Sequence, residues 1–370
     1  MYFDTLNSEY GYESTENKQR INLSDRAYLR LLNDNRIFEK NDDDKITSAL
    51  INRIFRNYRE TAKASIAVAL QNRRAELSRI LSTMSSSVER TKVVDLLIKE
   101  KAEELMYNVN LLLNDKGNSM NIRLSKESIE YLVSDVGQQE ADFYDNNVGA
   151  YLKAIIEEYT SLPYIEREKI YHKELIDEIK LAMIDRKLLK LELLTTNIQD
   201  GVIKHNLLYV KPYAIINDCE SLYNYLVGYV SSQPGGPWNI QSVRLTSIKK
   251  CKKQGNTAAI TKEQQKDIEI LLREKGVQYL SSNNRENIVV EFTKEGEKRY
   301  QRMLHLRPVY ISKDGLKYVF NCTVYQAEAY FFKFGHHAKI LSPKTLTIKF
   351  SNQYEVAANQ YKELLKTNNK

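Results

Sequence analysis

Two stretches in the first half of the chain repeat one plan of apolar and polar positions. Ile21-Asn22-Leu23-Ser24 matches Ile122-Arg123-Leu124-Ser125 at an offset of 101 residues. That offset also carries Tyr28, Leu31 and Leu32 onto Ile129, Leu132 and Val133. It carries Leu50, Ile51, Ile54, Phe55 and Tyr58 onto Tyr151, Leu152, Ile155, Ile156 and Tyr159 with no gap. A gapless match of apolar classes over this length marks an internal repeat.

Within each copy the period of the pattern changes in order. Gln19 to Leu23 and Met120 to Leu124 alternate, which predicts a half-buried strand with Ile and Leu on one face. Ser24 and Ser125 then stand where a helix N-cap belongs. Apolar residues at i, i+3 and i+4 follow and predict a helix. A polar break, Asn41-Asp42-Asp43-Asp44 or Asp145-Asn146-Asn147, precedes a second amphipathic helix. Between the copies, Thr61 to Asp115 reads as two long helices broken at Ser85-Ser86-Ser87. Arg73, Arg74 and Arg79 lie on the first of these, either on a solvated face or against phosphates.

Strand, helix, helix in about 40 residues resembles the ribbon-helix-helix family, whose paired strands enter the DNA major groove. The resemblance covers about 80 of the first 160 residues and rests on pattern. It implies that Arg20, Asn22, Asn121 and Arg123 face outward, where Arg and Asn can bond guanine and adenine edges. We expect one chain to supply both strands, as an intramolecular pseudo-dimer. The alternative is that the ribbon only packs the domain together.

Beyond Pro163 the pattern turns to strands. A helical stretch, Glu166 to Arg186, leads to the apolar strand Leu188 to Leu194. Alternating strands follow at Leu207 to Ile216, Tyr223 to Tyr229 and Ile240 to Ile248, separated by Asn217-Asp218 and by Pro234-Gly235-Gly236-Pro237. This spacing predicts a small antiparallel barrel. Val210-Lys211-Pro212-Tyr213, then Asn224-Tyr225-Leu226-Val227-Gly228-Tyr229, then Ile240-Gln241-Ser242-Val243-Arg244-Leu245-Thr246-Ser247-Ile248 resemble in order the segments of the WYL-domain family, over residues 170 to 255. The resemblance implies an Sm-like or SH3-like barrel that senses ligands, often pieces of nucleic acid, through arginines of the last strand. The chain departs from the family at Asn224, Gln241 and Ser247, so only Arg244 remains of those arginines. Lys211, Lys249, Lys250, Lys252 and Lys253 flank the same strands and can compensate. Tyr209, Tyr213 and Tyr225 are expected to join Arg244 in one stacking pocket for an unpaired strand, although Tyr213 and Tyr225 could instead fill the barrel core.

After Gln254-Gly255-Asn256, read as a linker, Thr261 caps a helix. Glu286 to Thr293 reads as a strand, Lys294 to Leu304 as a helix and Leu316 to Val324 as a strand. Tyr325 to Phe334 reads as a helix stopped by Gly335, and a last helix lies near Ala357 to Leu365. This part resembles the extension that follows WYL barrels and implies a homodimer. The expected class is therefore α+β. It has a flexible N-terminus at 1–18, a duplicated and mainly helical ribbon-helix-helix-like domain at 19–165, a WYL domain with a leading helix at 166–255, and a C-terminal α/β dimerisation domain at 256–370.

Composition narrows the function. A net charge of +7 over 370 residues mildly favours a polyanionic partner. Tyr occurs 25 times against one Trp, which supplies stacking faces and hydroxyls. Cys219, Cys251 and Cys322 are odd in number and far apart, so free thiols in a reducing cytosol are expected. The start has no signal-peptide pattern and no apolar run spans a bilayer, which points to a cytoplasmic protein with no membrane partner. No nucleotide-binding, zinc-protease or serine-hydrolase motif is present. His172, His205, His305, His336 and His337 have no chelating spacing. We therefore expect no enzyme, no metal and no cofactor. Ribbon-helix-helix units joined to a WYL barrel resemble the accessory proteins of type VI-D CRISPR systems. That resemblance implies single-stranded RNA binding and stimulation of an RNA-guided CRISPR effector nuclease as partner. The other readings are a ligand-responsive transcriptional regulator that binds operator DNA through the ribbon, and a protein-binding scaffold.

Overall fold

The structure is a computed structural model that describes residues 17–40, 45–83, 86–114, 117–199, 202–218, 222–280, 285–304 and 307–367. Among these residues the fold is α+β, with thirteen α-helices and three antiparallel sheets of two, four and five strands. The chain divides into two compact units, Met1–Ile176 and Asp177–Lys370. Residues 1–16 of the N-terminal segment, the Asn41–Asp44 break and Cys219 lie outside the described residues.

In the first unit, β1 (Lys18–Leu23) leads into α1 (Asp25–Phe38) and α2 (Ser48–Tyr58). The inserted pair α3 (Ile66–Ile80) and α4 (Ser87–Leu113) follows. The second copy then runs β2 (Asn118–Arg123), α5 (Lys126–Leu132), α6 (Asp135–Ala141) and α7 (Val148–Ser161), with α8 (Tyr164–Tyr171) behind it. The matched positions meet in one core: Ile21 and Ile122, Leu31 and Leu132, Leu50 and Tyr151, and Tyr58 and Tyr159 are all buried. Ser24 and Ser125 both cap helices, each hydroxyl accepting a backbone N–H at 3.2 Å, from Ala27 and Ser128. The first helix of the second copy is broken where the pattern predicts a continuous one. Ser134 caps α6, and Gly137 sits so near the preceding turn that a Cβ there would lie 2.3 Å from the Tyr131 carbonyl oxygen.

Each strand end is anchored to the second helix of the other copy. The Ser24 N–H and hydroxyl donate to Glu157 of α7 at 2.6 and 2.8 Å. The Ser125 N–H donates to Asn52 Oδ1 of α2 at 2.8 Å. On the inserted pair, Arg73 and Arg74 form exposed ion pairs with Glu76 and Asp95, which is the solvated-face arrangement.

In the second unit, α9 (Lys173–Ile184), whose first residues belong to the first unit, runs into the five-stranded sheet. Its strands are β3 (Lys187–Gln199), β4 (Val202–Asp218), β5 (Tyr223–Ser231), β6 (Asn239–Arg244) and β7 (Ile248–Thr257). The order β6-β5-β4-β3-β7 makes a four-stranded meander, and the fifth strand returns to pair with the first. Two expectations are corrected here. Ile240 to Ile248 is not one strand: a 3-10 turn at Leu245–Ser247, with Leu245 and Thr246 buried, redirects the chain so that β7 reaches β3. Gln254-Gly255-Asn256 is not a linker but the end of β7, where Thr257 pairs with Lys187. Its exposed face made it read as a loop. On β5, Gly228 allows β4 to approach closely, since a Cβ there would lie 2.1 Å from the Lys211 carbonyl oxygen.

A capping box at Thr261 opens α10 (Lys262–Lys275). The remaining elements are β8 (Arg285–Phe292), α11 (Lys294–Arg302), β9 (Tyr310–Asp314), β10 (Lys317–Thr323), α12 (Val324–Phe331), β11 (Ala338–Ser342) and α13 (Lys344–Thr367). Their sheet, ordered β11-β8-β10-β9, covers an aromatic core that includes Phe292, Tyr300, Phe320, Tyr330 and Phe334. Gly335, at φ 57°, turns the chain after α12. The exposed edge strand β9 was not expected. The last helix begins well before Ala357, because Leu346 and Phe350, four residues apart, pack into this core.

Candidate nucleic-acid interface

In the first unit the two strands of the repeat pair with each other, antiparallel and within one chain. Arg20 stands opposite Asn121, Asn22 opposite Ser119 and Lys18 opposite Arg123. Paired residues share a face. Here that face carries Lys18, Arg20, Asn22, Ser119, Asn121 and Arg123, all exposed, while Ile21, Leu23 and Ile122 point into the core. The outward placement of Arg20, Asn22, Asn121 and Arg123 thus follows from alternation alone. The Arg20 Nε–H donates to Ser119 Oγ at 2.6 Å, which orients the guanidinium along the ribbon.

In the second unit Arg244 ends β6 and is exposed. Its guanidinium carbon lies 3.9 Å from the centre of the Tyr223 ring and 6.0 Å from that of Tyr225. Among the described residues no carboxylate forms an ion pair with it. Such stacking holds the planar cation in place and leaves its donors directed outward.

The expected single pocket is divided in the structure. Tyr225 is only 4% exposed and packs with Val227, Tyr229, Ile268, Val277 and Leu280, so a base cannot stack on it. α10 and the 277–280 turn cover the middle of this sheet face because the face is apolar there. The half-exposed aromatic ring beside Arg244 is that of Tyr223. Tyr209 is separated from Arg244 along the sheet. The row containing Arg244 and Tyr225 meets β4 at Ile216, seven residues from Tyr209, roughly 20 Å of extended strand.

Tyr209 has its own basic neighbours. It pairs with Ser231 on one side and with Lys190 on the other, and Lys190 pairs with Lys252. These residues share one face. Lys211 instead reaches over the ring of Trp238, its Nζ 4.6 Å from the centre. Lys249 is held by Glu192 at 2.8 Å and Lys253 by Asp185 at 2.7 Å, so neither adds an uncompensated charge. Lys250 is exposed. The Tyr213 hydroxyl donates to Glu269 Oε1 at 3.1 Å. Burial, and then that carboxylate, raise its pKa and keep it a protonated donor.

Tyr223, Lys190 and Trp238 complete the cation and ring sets, and the sequence motifs did not single them out. Alternation along β5 places Tyr223 on the face of Tyr225. Lys190 stands between the buried Leu189 and Leu191, where period two turns it outward. Among the described residues no cluster of His, Cys, Asp and Glu could hold a metal ion, and no helix is long and apolar enough to cross a membrane. Burial pushes the Cys251 thiol up to about 12, with Glu178 adding to the effect, so the sulfur stays protonated.

No protein-family model and no curated protein matches the sequence. Among solved structures, the proteasome accessory factor B/C (PafBC) of Arthrobacter aurescens aligns over 97% of this chain and 53% of its own at 11% identity, but its TM-score of 0.31 is too low to bear on the fold. A structure described as "Crystal structure of a CRISPR Cas-related protein" aligns over 96% of both chains at 20% identity with a TM-score of 0.75, and the chain shares the fold of that protein.

Proposed function

We propose that the chain is a nucleic-acid-binding regulatory protein, not an enzyme, and that its second unit takes single-stranded RNA on the outer face of the five-stranded sheet. The observation that carries this reading is the exposed Arg244, stacked on Tyr223 and joined to no carboxylate among the described residues. A stacked cation beside a half-exposed ring suits a phosphate next to an unstacked base. The row of Tyr209, Lys190 and Lys252 repeats that chemistry further along the sheet.

The meander closed by a returning strand, together with the segments at Val210–Tyr213, Asn224–Tyr229 and Ile240–Ile248, supports a WYL-type barrel of the Sm or SH3 kind. The paired β1 and β2, each leading into helices, support a ribbon-helix-helix unit folded within one chain. On this reading the protein is a cytoplasmic accessory that stimulates an RNA-guided CRISPR nuclease of type VI-D. The fold shared with a CRISPR Cas-related protein is in keeping with that. Exposed Tyr361, Leu364 and Leu365 at the end of α13 favour a homodimer through the C-terminal part, which light scattering at micromolar concentration tests.

A second reading is favoured by one observation. The ribbon carries two arginines and two asparagines on one exposed face, and a two-stranded ribbon fits the major groove of duplex DNA. The protein would then be a transcriptional regulator. Binding of wild type, Arg244→Ala and Arg20→Ala/Arg123→Ala to single-stranded RNA, single-stranded DNA and duplex DNA at two salt concentrations separates the two. Tight RNA binding lost with Arg244→Ala is expected. A duplex preference lost only in the ribbon variant would replace the first reading with the second.

A further inference from the structure

A cavity of about 440 Å³ lies in the second unit, where α9, the bulge of β4 and the first turn of α10 meet. Its size falls within the range of small-molecule sites. Part of the wall is apolar: Ala182 and Met183 from α9, Pro212 from β4, and Ala258 and Ile260 after β7. The alanines leave space that larger side chains would fill.

Polar groups converge on this cavity from three directions. Arg186 comes from the turn after α9 and Lys262 from the start of α10. Both are exposed, and no ion pair engages either among the described residues. Tyr213 lines the cavity as well, its hydroxyl held by Glu269. Gln265 contributes an amide with both donor and acceptor.

We propose that this cavity binds a nucleoside 5′-phosphate, as a free nucleotide or as the 5′-phosphorylated end of an RNA strand. The flat base lies among Met183, Pro212 and Tyr213, Gln265 meets its polar edge, and Arg186 and Lys262 take the phosphate. Two cations suit the dianion of a phosphate monoester better than a diester within a strand. The site uses neither Arg244 nor Tyr223, so it stands whether or not those residues bind RNA.

The test is calorimetric titration of the full chain with UMP, uridine, and a short RNA carrying either a 5′-phosphate or a 5′-hydroxyl. UMP should bind at least about tenfold more tightly than uridine, and Arg186→Ala/Lys262→Ala should remove that advantage. Ala259→Trp keeps both cations and fills the cavity from an exposed position, so it should abolish UMP binding without altering the melting temperature. Arg244→Ala should leave UMP affinity unchanged even if it weakens binding of the unphosphorylated RNA. A 5′-phosphate preference in the RNA that depends on Arg186 and Lys262 identifies a strand end, and binding of UMP alone identifies a free nucleotide. Equal binding of UMP and uridine, no binding of UMP, or UMP affinity unaffected by the double substitution would overturn the proposal.

Discussion

Ser24 and Glu157 stand 133 residues apart in sequence, yet the Ser24 N–H and hydroxyl both donate to the Glu157 carboxylate, at 2.6 and 2.8 Å. The same serine oxygen caps α1 by accepting the Ala27 N–H. One carboxylate therefore fixes the end of β1, the start of α1 and the middle of α7. Both partners are buried. Glu157→Ala leaves two buried donors unmet and should lower unfolding free energy by roughly 2 kcal/mol or more. Glu157→Gln, whose oxygen still accepts one bond, should lose less. Urea denaturation of both variants checks the order.

Asp34 is the second internal anchor. Its carboxylate accepts from Arg167 Nε at 2.8 Å, Arg167 Nη2 at 3.0 Å and the Tyr159 hydroxyl at 2.9 Å, with all three side chains buried. Asp34→Ala strands a buried guanidinium and should destabilise the protein by about 3–5 kcal/mol. Asp34→Leu combined with Arg167→Met should recover part of that loss, because no charge is then left unpaired. Equal loss in the single and double variants would show that the pair is not the source.

Glu140 makes stability depend on pH. Its Oε1 accepts the Val68 N–H at 3.2 Å at the start of α3, while Oε2 is buried without a hydrogen-bond partner among the described residues. Burial pushes the carboxyl up to about 7, against the backbone N–H groups of Ala67, Val68 and Ile66. The folded protein thus holds this proton more tightly than the unfolded chain. The resulting stabilisation is complete below the ordinary carboxylate range and is lost as pH rises through about 7. Glu140→Gln should remove this part of the decline, read as a flatter plot of melting temperature between acid and neutral pH.

Arg244→Lys keeps the charge but loses the planar stack on Tyr223. We expect it to retain the salt dependence of RNA binding and to lose affinity by several-fold. Arg244→Ala should also reduce the slope of log affinity against log salt by about 0.7, the value for one phosphate contact on a single strand. Tyr223→Leu should cost about 1–3 kcal/mol in binding if a base stacks there. Filter binding across a salt series measures all three.

Period and spacing along the chain were enough to determine the repeat. Apolar residues at matching positions from Ile21 to Tyr159 have one way to be buried together, so strands, caps and core could be read in order. The outward set Arg20, Asn22, Asn121 and Arg123 followed, because side chains on a strand alternate. The break at Ser134 and the turn at Leu245–Ser247 were not legible. The first is set by the Ser134 cap and the close approach of Gly137 to the turn before it, the second by what the later strand must reach, the pairing of β7 with β3. Tertiary structure alone also decided which tyrosines are open. Tyr223 and Tyr225 are two residues apart on one face of β5, and the second is buried under Ile268 of α10 and Val277 and Leu280 of the following turn, while the first is only partly covered. The cavity at Arg186 and Lys262 has the same origin: its residues lie up to 83 positions apart in the chain, and no local pattern records that three elements meet there.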